Sequence, residues 1–234
     1  PRIDRAIADG SFAANPALAR FAERLRGSGG TAHLLGVASP GGVHAHQDHI
    51  LAAARILAAQ GIPLAIHAFP DGRHVAPRSA AGQIAALEAA LPVGARIASI
   101  CGRYFAMDRD RRWDRVKRAT DLVLHGEGHR APDAAAAIRA AYARGETDEF
   151  ISPTRLDAYA APADGDGLFC ANFRADRARE ILGALADPEF AAYDPGPRPA
   201  FAARLGMVEY SDDLSGIFET MFPAEPIRNT LGEW

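Results

Sequence analysis

Arginine and histidine collect in this chain directly behind apolar runs. Residues 32–38 lead into Ser39-Pro40-Gly41-Gly42-Val43-His44-Ala45-His46, and residues 62–69 into Asp71-Gly72-Arg73-His74. Residues 95–101 lead into Gly102-Arg103-Tyr104 and then Asp108-Arg109-Asp110, and the run 165–173 closes on Asn172-Phe173-Arg174-Ala175-Asp176-Arg177. Guanidinium forks match the oxygens of phosphate and carboxylate two at a time. Gathered together they repel one another unless an anion offsets their charge. Gly41-Gly42 ahead of an expected helix start adds backbone N–H groups and the positive end of a helix dipole. This chemistry points to a small, multiply charged anion, most simply a phosphorylated carboxylic acid, with His44 contacting it from the strand-to-helix corner.

The string His44-Ala45-His46-Gln47-Asp48-His49 also has metal-ligand spacing. A zinc hydrolase reading needs further ligands downstream and a strand-rich sandwich. His46 and His49 fall one turn into a predicted helix, so the anion contact is the better account of His44. Cys101 and Cys170 fall in predicted strands as inert buried thiols. Asp71 is expected to form the turn or orient Arg73, and Trp113 to anchor a helix. The arginines between 109 and 118 are interleaved with Asp108, Asp110 and Asp114, which predicts a local ion-pair network rather than a nucleic-acid surface.

What positions these residues is a strand–helix rhythm. Strands are predicted at 32–38, 62–69, 95–101 and 165–173, with a short last one at 207–210. Helices are predicted at 44–60, 78–91, 113–124, 132–144 and 176–185, and one or two more between residues 3 and 26. Pro16 behind Asn15 suits a first helical turn. Alternation of this kind gives parallel strands with right-handed crossovers, buried on both faces. The expected fold is an open, mostly parallel α/β sheet flanked by helices, three layers α/β/α, with ligands bound outside the carboxyl ends of the strands. The 234 residues carry 26 Lys+Arg against 29 Asp+Glu, a net charge of -3 that gives no polyanion signature. Lys117 stands alone as lysine, which is compositional drift in an alanine-rich chain. No apolar run approaches the roughly 18 residues of a membrane span, the first residues lack a signal-peptide core, and two cysteines suit a reducing, cytoplasmic setting.

Six stretches together resemble the cofactor-independent (2,3-bisphosphoglycerate-independent) phosphoglycerate mutases: SPGGVHAHQDH, HAFPDGRHVAPRSA, GRYFAMDRDRRWDRV, YARGETDEFISPT, ANFRADRAR and PAEPIRNTLGE. The resemblance runs from Pro1 to Glu233. It implies interconversion of 3-phosphoglycerate and 2-phosphoglycerate, a step of glycolysis and gluconeogenesis, through a phosphoserine intermediate. It also implies two domains. One is phosphatase-like and holds two divalent metals, usually manganese, and the serine; the other is inserted into it and grips the substrate. The likeness is to the inserted domain, so this chain is expected to be cut from a longer one, to hold no metal or cofactor and to turn over nothing alone. Residues 1–30 would be a helical hinge segment, 31–215 the substrate-binding domain, and 216–234 a hinge toward the metal-binding domain. Carried over by position, the family's substrate contacts fall on His44, Arg73, Arg103, Arg109, Arg174 and Arg177. Where the family has an Asp implicated in proton exchange with the substrate hydroxyl, this chain has His74, which can exchange a proton but brings no negative charge. The implied partners are the two phosphoglycerates and the metal-binding domain, with no nucleic acid and no membrane. His74 is also the best support for the alternative, a non-catalytic phosphate-ligand module or degenerate mutase relative.

Overall fold

Two six-residue runs, β1 (Ala32–Val37) and β2 (Leu64–Phe69), are buried at every position, as strands covered on both faces must be. They form the centre of an eight-stranded sheet. The computed structural model describes residues 2–224, so Pro1 and residues 225–234, most of the expected C-terminal hinge, lie outside the described residues. The further strands are β3 (Ala95–Ile100), β4 (His129–Ala131), β5 (Thr154–Leu156), β6 (Gly167–Cys170), β7 (Ala203–Gly206) and β8 (Glu219–Thr220). Their order is β4-β5-β3-β2-β1-β6-β7-β8, parallel throughout except where β5 runs against β3.

Side chains alternate between two cores. Leu34, Ile66, Ile97 and Phe169 face one layer, built from α1 (Arg2–Ala8), α2 (Pro16–Ser28), α3 (Gln47–Ala58), α4 (Ala80–Ala90) and α7 (Ala134–Ala143). Leu35, Val37, Phe69 and Cys170 face the other, with α5 (Arg103–Ala106), α6 (Trp113–His125), α8 (Arg179–Ala186) and α9 (Asp212–Ser215). This is the three-layer α/β/α arrangement. Ile3, Phe12, Leu18, Phe21 and Leu25 of the N-terminal segment lie in the first core, not apart from it. Asn15 caps α2 by accepting from the N–H groups of Ala17 and Leu18, with Pro16 next to it as expected.

Three boundaries differ from the pattern-based expectation. The late strand is Ala203–Gly206, not 207–210. There the chain turns so that Tyr210 packs on Gly206, where a Cβ would sit 2.6 Å from its ring, and the Tyr210 hydroxyl donates to the Asn172 carbonyl at 2.7 Å. The third helix starts at Gln47, because His46 caps it, and residues 175–177 form a 3-10 turn before α8. The strands β4, β5 and β8 span only two or three residues, too few for a periodic signal.

A buried polar chain crosses the centre of the sheet. Asp166 Oδ2 lies 3.2 Å from His33 Nε2, His33 Nδ1 3.0 Å from His67 Nε2, and His67 Nδ1 2.8 Å from Ser99 Oγ. With both imidazoles neutral, one direction satisfies every contact: Ser99 donates to His67, His67 to His33, and His33 to the carboxylate. Burial, aided by His33 and Arg96, holds the His67 imidazole well below its usual range. The unfolded chain therefore takes up a proton near pH 6.5 that folded His67 refuses. The stability contributed by neutral His67 is complete above that pH and is lost as pH falls below it. Urea unfolding at pH 7 and pH 5 is expected to show a clear loss of stability at pH 5. His67→Gln should flatten that slope; an unaltered slope would show that His67 does not carry it.

Candidate functional site

The strand order reverses at β1: the chain builds outward through β2 and β3, then returns to add β6 and β7 on the other side. A crevice opens at such a reversal, outside the carboxyl ends of the strands. Here it is stitched shut at its base. The Val37 N–H donates to Asn172 Oδ1 at 3.0 Å, and the Phe173 N–H to the His44 carbonyl at 2.8 Å. The loop 39–46 and the segment 172–177 therefore rise together as opposite walls.

Asp71 organises one side. It is 2% exposed and receives Arg103 Nη1 at 2.6 Å, with Arg103 itself 3% exposed. It also accepts from Ser39 Oγ at 2.9 Å and from the backbone N–H groups of Arg73 and His74 at 3.4 Å. So Asp71 orients Arg103, not Arg73, whose guanidinium pairs with Glu149 at 3.0 Å. The glycine at position 41 has a different reason from the one its sequence context offers. No helix begins beside it; a Cβ there would lie 2.8 Å from Asp71 Oδ2, so only glycine lets the loop close over the carboxylate.

Asp176, on the 3-10 turn after β6, organises the other side. Arg109 Nη1 lies 2.8 Å from one oxygen, Arg174 Nε 3.2 Å from the second, and His44 Nδ1 3.7 Å from that same second oxygen. The arginine-rich loop 107–112 is pinned to this wall. Arg177 Nη1 donates to the Met107 carbonyl at 3.0 Å, and the Arg111 N–H to Glu180 at 2.9 Å. Arg177 makes no ion pair of its own among the described residues. Burial first, then the charges of Arg109 and Arg103, lower its pKa. Arg73, Arg103, Tyr104 and Arg177 line a cleft of about 170 Å³. His74 is exposed, its ring 5.6 Å from that of His44.

All seven sequence-predicted residues thus stand around one rim. Arg73, Arg103, Arg109, Arg174 and Arg177 face three carboxylates, Asp71, Glu149 and Asp176, an excess of two positive charges in this set, while Asp108 and Asp110 beside them pair with Arg112 and Arg115. His44 adds no charge. Burial and the neighbouring Arg103 push its pKa down to about 4, so near neutral pH it is a neutral donor or acceptor. Such a rim can hold an anion of about two charges by bidentate hydrogen bonds.

His46 and His49 of the metal-like string stay neighbours, their rings 5.6 Å apart, but each side chain of the string has its own partner. His46 caps α3 through Asp48 N–H, and His49 bonds Asp4 on α1 at 2.7 Å, while His44 turns to Asp176. Among the described residues no group of three His, Cys, Asp or Glu could hold a metal ion, so this string does not fit a metal centre. The run after Arg109 is the expected local network: Arg112 and Arg115 pair with Asp108, and Arg112 with Asp110. Trp113 packs against Phe190 and Tyr193. Both thiols are buried, which pushes Cys170 up to about 11 and Cys101 higher still. Sequence reasoning missed Asp176 and Glu149 as partners across the crevice. The available signal was the aspartate that accompanies the arginines in each wall segment.

The family described as "BPG-independent PGAM N-terminus" matches residues 3–212. The chain is 61% identical over 233 residues to a 2,3-bisphosphoglycerate-independent phosphoglycerate mutase of Dinoroseobacter shibae, and 54% identical over 233 residues to one of Paracoccus denitrificans. In both cases all of this chain is covered and 46% of the relative, so the chain spans about half the length of the curated relatives it matches. It also superposes with TM-score 0.88 and 29% identity on a phosphoglycerate mutase of Leishmania mexicana crystallised at low cobalt concentration, over 97% of this chain and 44% of that one. No helix among the described residues is long and apolar enough to cross a membrane.

Proposed function

The chain belongs to the family of the BPG-independent phosphoglycerate mutase N-terminus, and from that premise we propose that it is the substrate clamp of an enzyme interconverting 3-phosphoglycerate and 2-phosphoglycerate. The observation that carries this reading is the rim at the strand-order reversal, where five arginines face three carboxylates. A phosphoglycerate brings a phosphate and a carboxylate a few bonds apart. Arg103 and Arg177, in the half-buried cleft, are suited to one of these groups; Arg109 and Arg174, on the opposite wall, to the other. Neutral His44 between them can hydrogen-bond a hydroxyl or ester oxygen without adding repulsion among the arginines. In phosphoryl transfer, holding and neutralising the charged groups supplies most of what a protein contributes. His74, exposed beside His44, takes the position for exchanging a proton with the substrate hydroxyl.

In this reading the divalent metals and the serine act from the other domain, and the step belongs to glycolysis and gluconeogenesis in the cytoplasm. The clamp then retains glycerate while the phosphoryl group is away. Calorimetric titration of the chain is expected to show one site for each phosphoglycerate, with no interconversion by the chain alone. Replacing the corresponding half of the Dinoroseobacter shibae mutase with this chain should preserve mutase activity. An inactive chimera that His74→Asp restores would favour a segment that binds without supporting catalysis, the reading that His74 favours. Absence of phosphoglycerate binding would overturn the clamp itself.

A further inference from the structure

The helix α8 begins beside the crevice wall, at Arg179, and its last residues border a second cleft, of about 310 Å³. Two arginines meet there with no carboxylate between them. In β7, Ala203 and Leu205 face the first core, so Arg204 between them projects toward the layer of α8 and α9. Arg204 makes no hydrogen bond and no ion pair among the described residues, and its Nε is buried without a partner. Arg198 lines the same cleft; its Nη1 donates to the carbonyls of Ala184 and Asp187 at the end of α8. Burial first, then the charge of Arg198, lowers the pKa of Arg204. The aspartates of the flanking segments do not offset these charges. Asp164, Asp187 and Asp194 accept instead from the backbone N–H groups of Ala200, Glu189 and Gly196. A guanidinium held partly out of water with no counter-charge carries a cost that an anion removes. The other walls are apolar, among them Leu185, Pro188, Phe201 and Ile217, with the Arg204 guanidinium 5.8 Å from the centre of the Phe201 ring.

We propose that the cleft between the end of α8 and β7 binds a small organic acid, an apolar body carrying one carboxylate. The carboxylate faces Arg204 and Arg198, because its two oxygens match a guanidinium fork. The apolar body lies against Leu185, Phe201 and Ile217. A few polar groups in an otherwise apolar hollow is the ordinary make-up of a small-molecule site. An inorganic ion would offset the charge and leave the apolar walls wet, so the body is as much a part of the fit as the acid. The residues of the crevice take no part in this cleft, and the inference does not depend on what the crevice binds.

The test is titration calorimetry of the full chain near pH 7.5 with benzoate, acetate and benzamide, which offer acid and body together, acid alone and body alone. Benzoate is expected to fill one site and to bind about tenfold or more tightly than either of the others. Arg204→Met should weaken benzoate about tenfold or more and leave the chain at least as resistant to urea, since it removes an unpaired charge. Arg204→Lys should keep part of the affinity. Pro188→Glu, at an exposed position, sets a resident carboxylate beside the two arginines and should weaken benzoate to a similar degree; it decides the matter if Arg204→Met does not fold. Arg174→Ala, on the crevice wall, should leave benzoate binding unaltered. The inference is overturned if benzoate binding does not saturate, or if acetate or benzamide binds as tightly. It is equally overturned if Arg204→Met or Pro188→Glu folds and binds benzoate as the parent does, or if Arg174→Ala weakens benzoate instead, which would place the probe in the crevice.

Discussion

Asp71→Ala is expected to lower the unfolding free energy by about 3–5 kcal/mol, the largest stability effect at the crevice. The substitution strands the Arg103 guanidinium, 3% exposed, without the counter-charge it has at 2.6 Å. It also removes the acceptor of the Ser39 hydroxyl and of two backbone N–H groups in the turn. Burial alone would raise the Asp71 pKa, yet Arg103 and Ser39 hold it below the usual carboxylate range. That contribution is therefore present above the ordinary carboxylate pKa and is lost as pH falls through the lower, folded value. Urea denaturation of Asp71→Ala and of the double variant Asp71→Ala/Arg103→Met checks the cause. The double variant should recover much of the loss, because it removes the unpaired charge. A cost below about 1 kcal/mol for Asp71→Ala would show that the pair does not hold the turn. The same burial changes what Arg103→Ala tests. The charge pattern alone presents Arg103 as a contact that can be removed without disturbing the fold; its removal would leave Asp71 buried and unpaired.

Arg177→Ala and Arg174→Ala should separate binding from folding. Each is expected to weaken 3-phosphoglycerate by about 1.5–3 kcal/mol, roughly 10- to 150-fold in Kd, the range for a hydrogen bond to a charged group. Arg174 is 53% exposed, so its loss should change stability by less than about 1 kcal/mol. Arg177 gives up one backbone hydrogen bond, to Met107. Its charge, however, lies against Arg109 and Arg103, which outweigh Asp176 and Asp110, so removing it relieves repulsion in the crevice. Arg177→Ala is therefore expected to bind weakly and fold at least as well as the parent. Calorimetry and urea unfolding on the same preparations decide it: unaltered affinity for both variants would take the arginines out of the site.

The four long strands were legible because each is a continuous apolar run closed by a turn signal, which is what burial on two faces demands. Their carboxyl ends could then be read off, and with them His44, Arg73, His74, Arg103, Arg109, Arg174 and Arg177. What could not be read was how their charges are balanced. Asp176 sits two residues from Arg174 and reads as its local companion, whereas its shortest contact is to Arg109, 67 residues away. Glu149 lies 76 residues from Arg73 in a segment with no turn or strand signal to mark it. Arg103 is the converse: a charged side chain in a polar loop reads as solvated, and only the packing of α5 against the 3-10 turn at Asp148–Phe150 encloses it. The glycine at 41 answers a need that the local pattern does not show, since it admits Asp71 across 30 residues of chain, whereas Gly42 takes a left-handed φ of 65°.

The strand-order reversal also governs when the crevice can exist. Val37 finds the Asn172 side chain 135 residues further along, so β1 has one bare edge until β6 has been made. Such an edge invites mispairing with another molecule, and contacts of this separation form slowly because a long loop must close first. During synthesis β1, β2 and β3 can assemble as a partial sheet carrying Asp71, Arg73, Arg103 and Arg109, but not the wall that holds Arg174, Asp176 and Arg177. Anion affinity therefore arises only once β6 has paired with β1, and phosphoglycerate added during refolding should act on that step and not on the assembly of β1, β2 and β3.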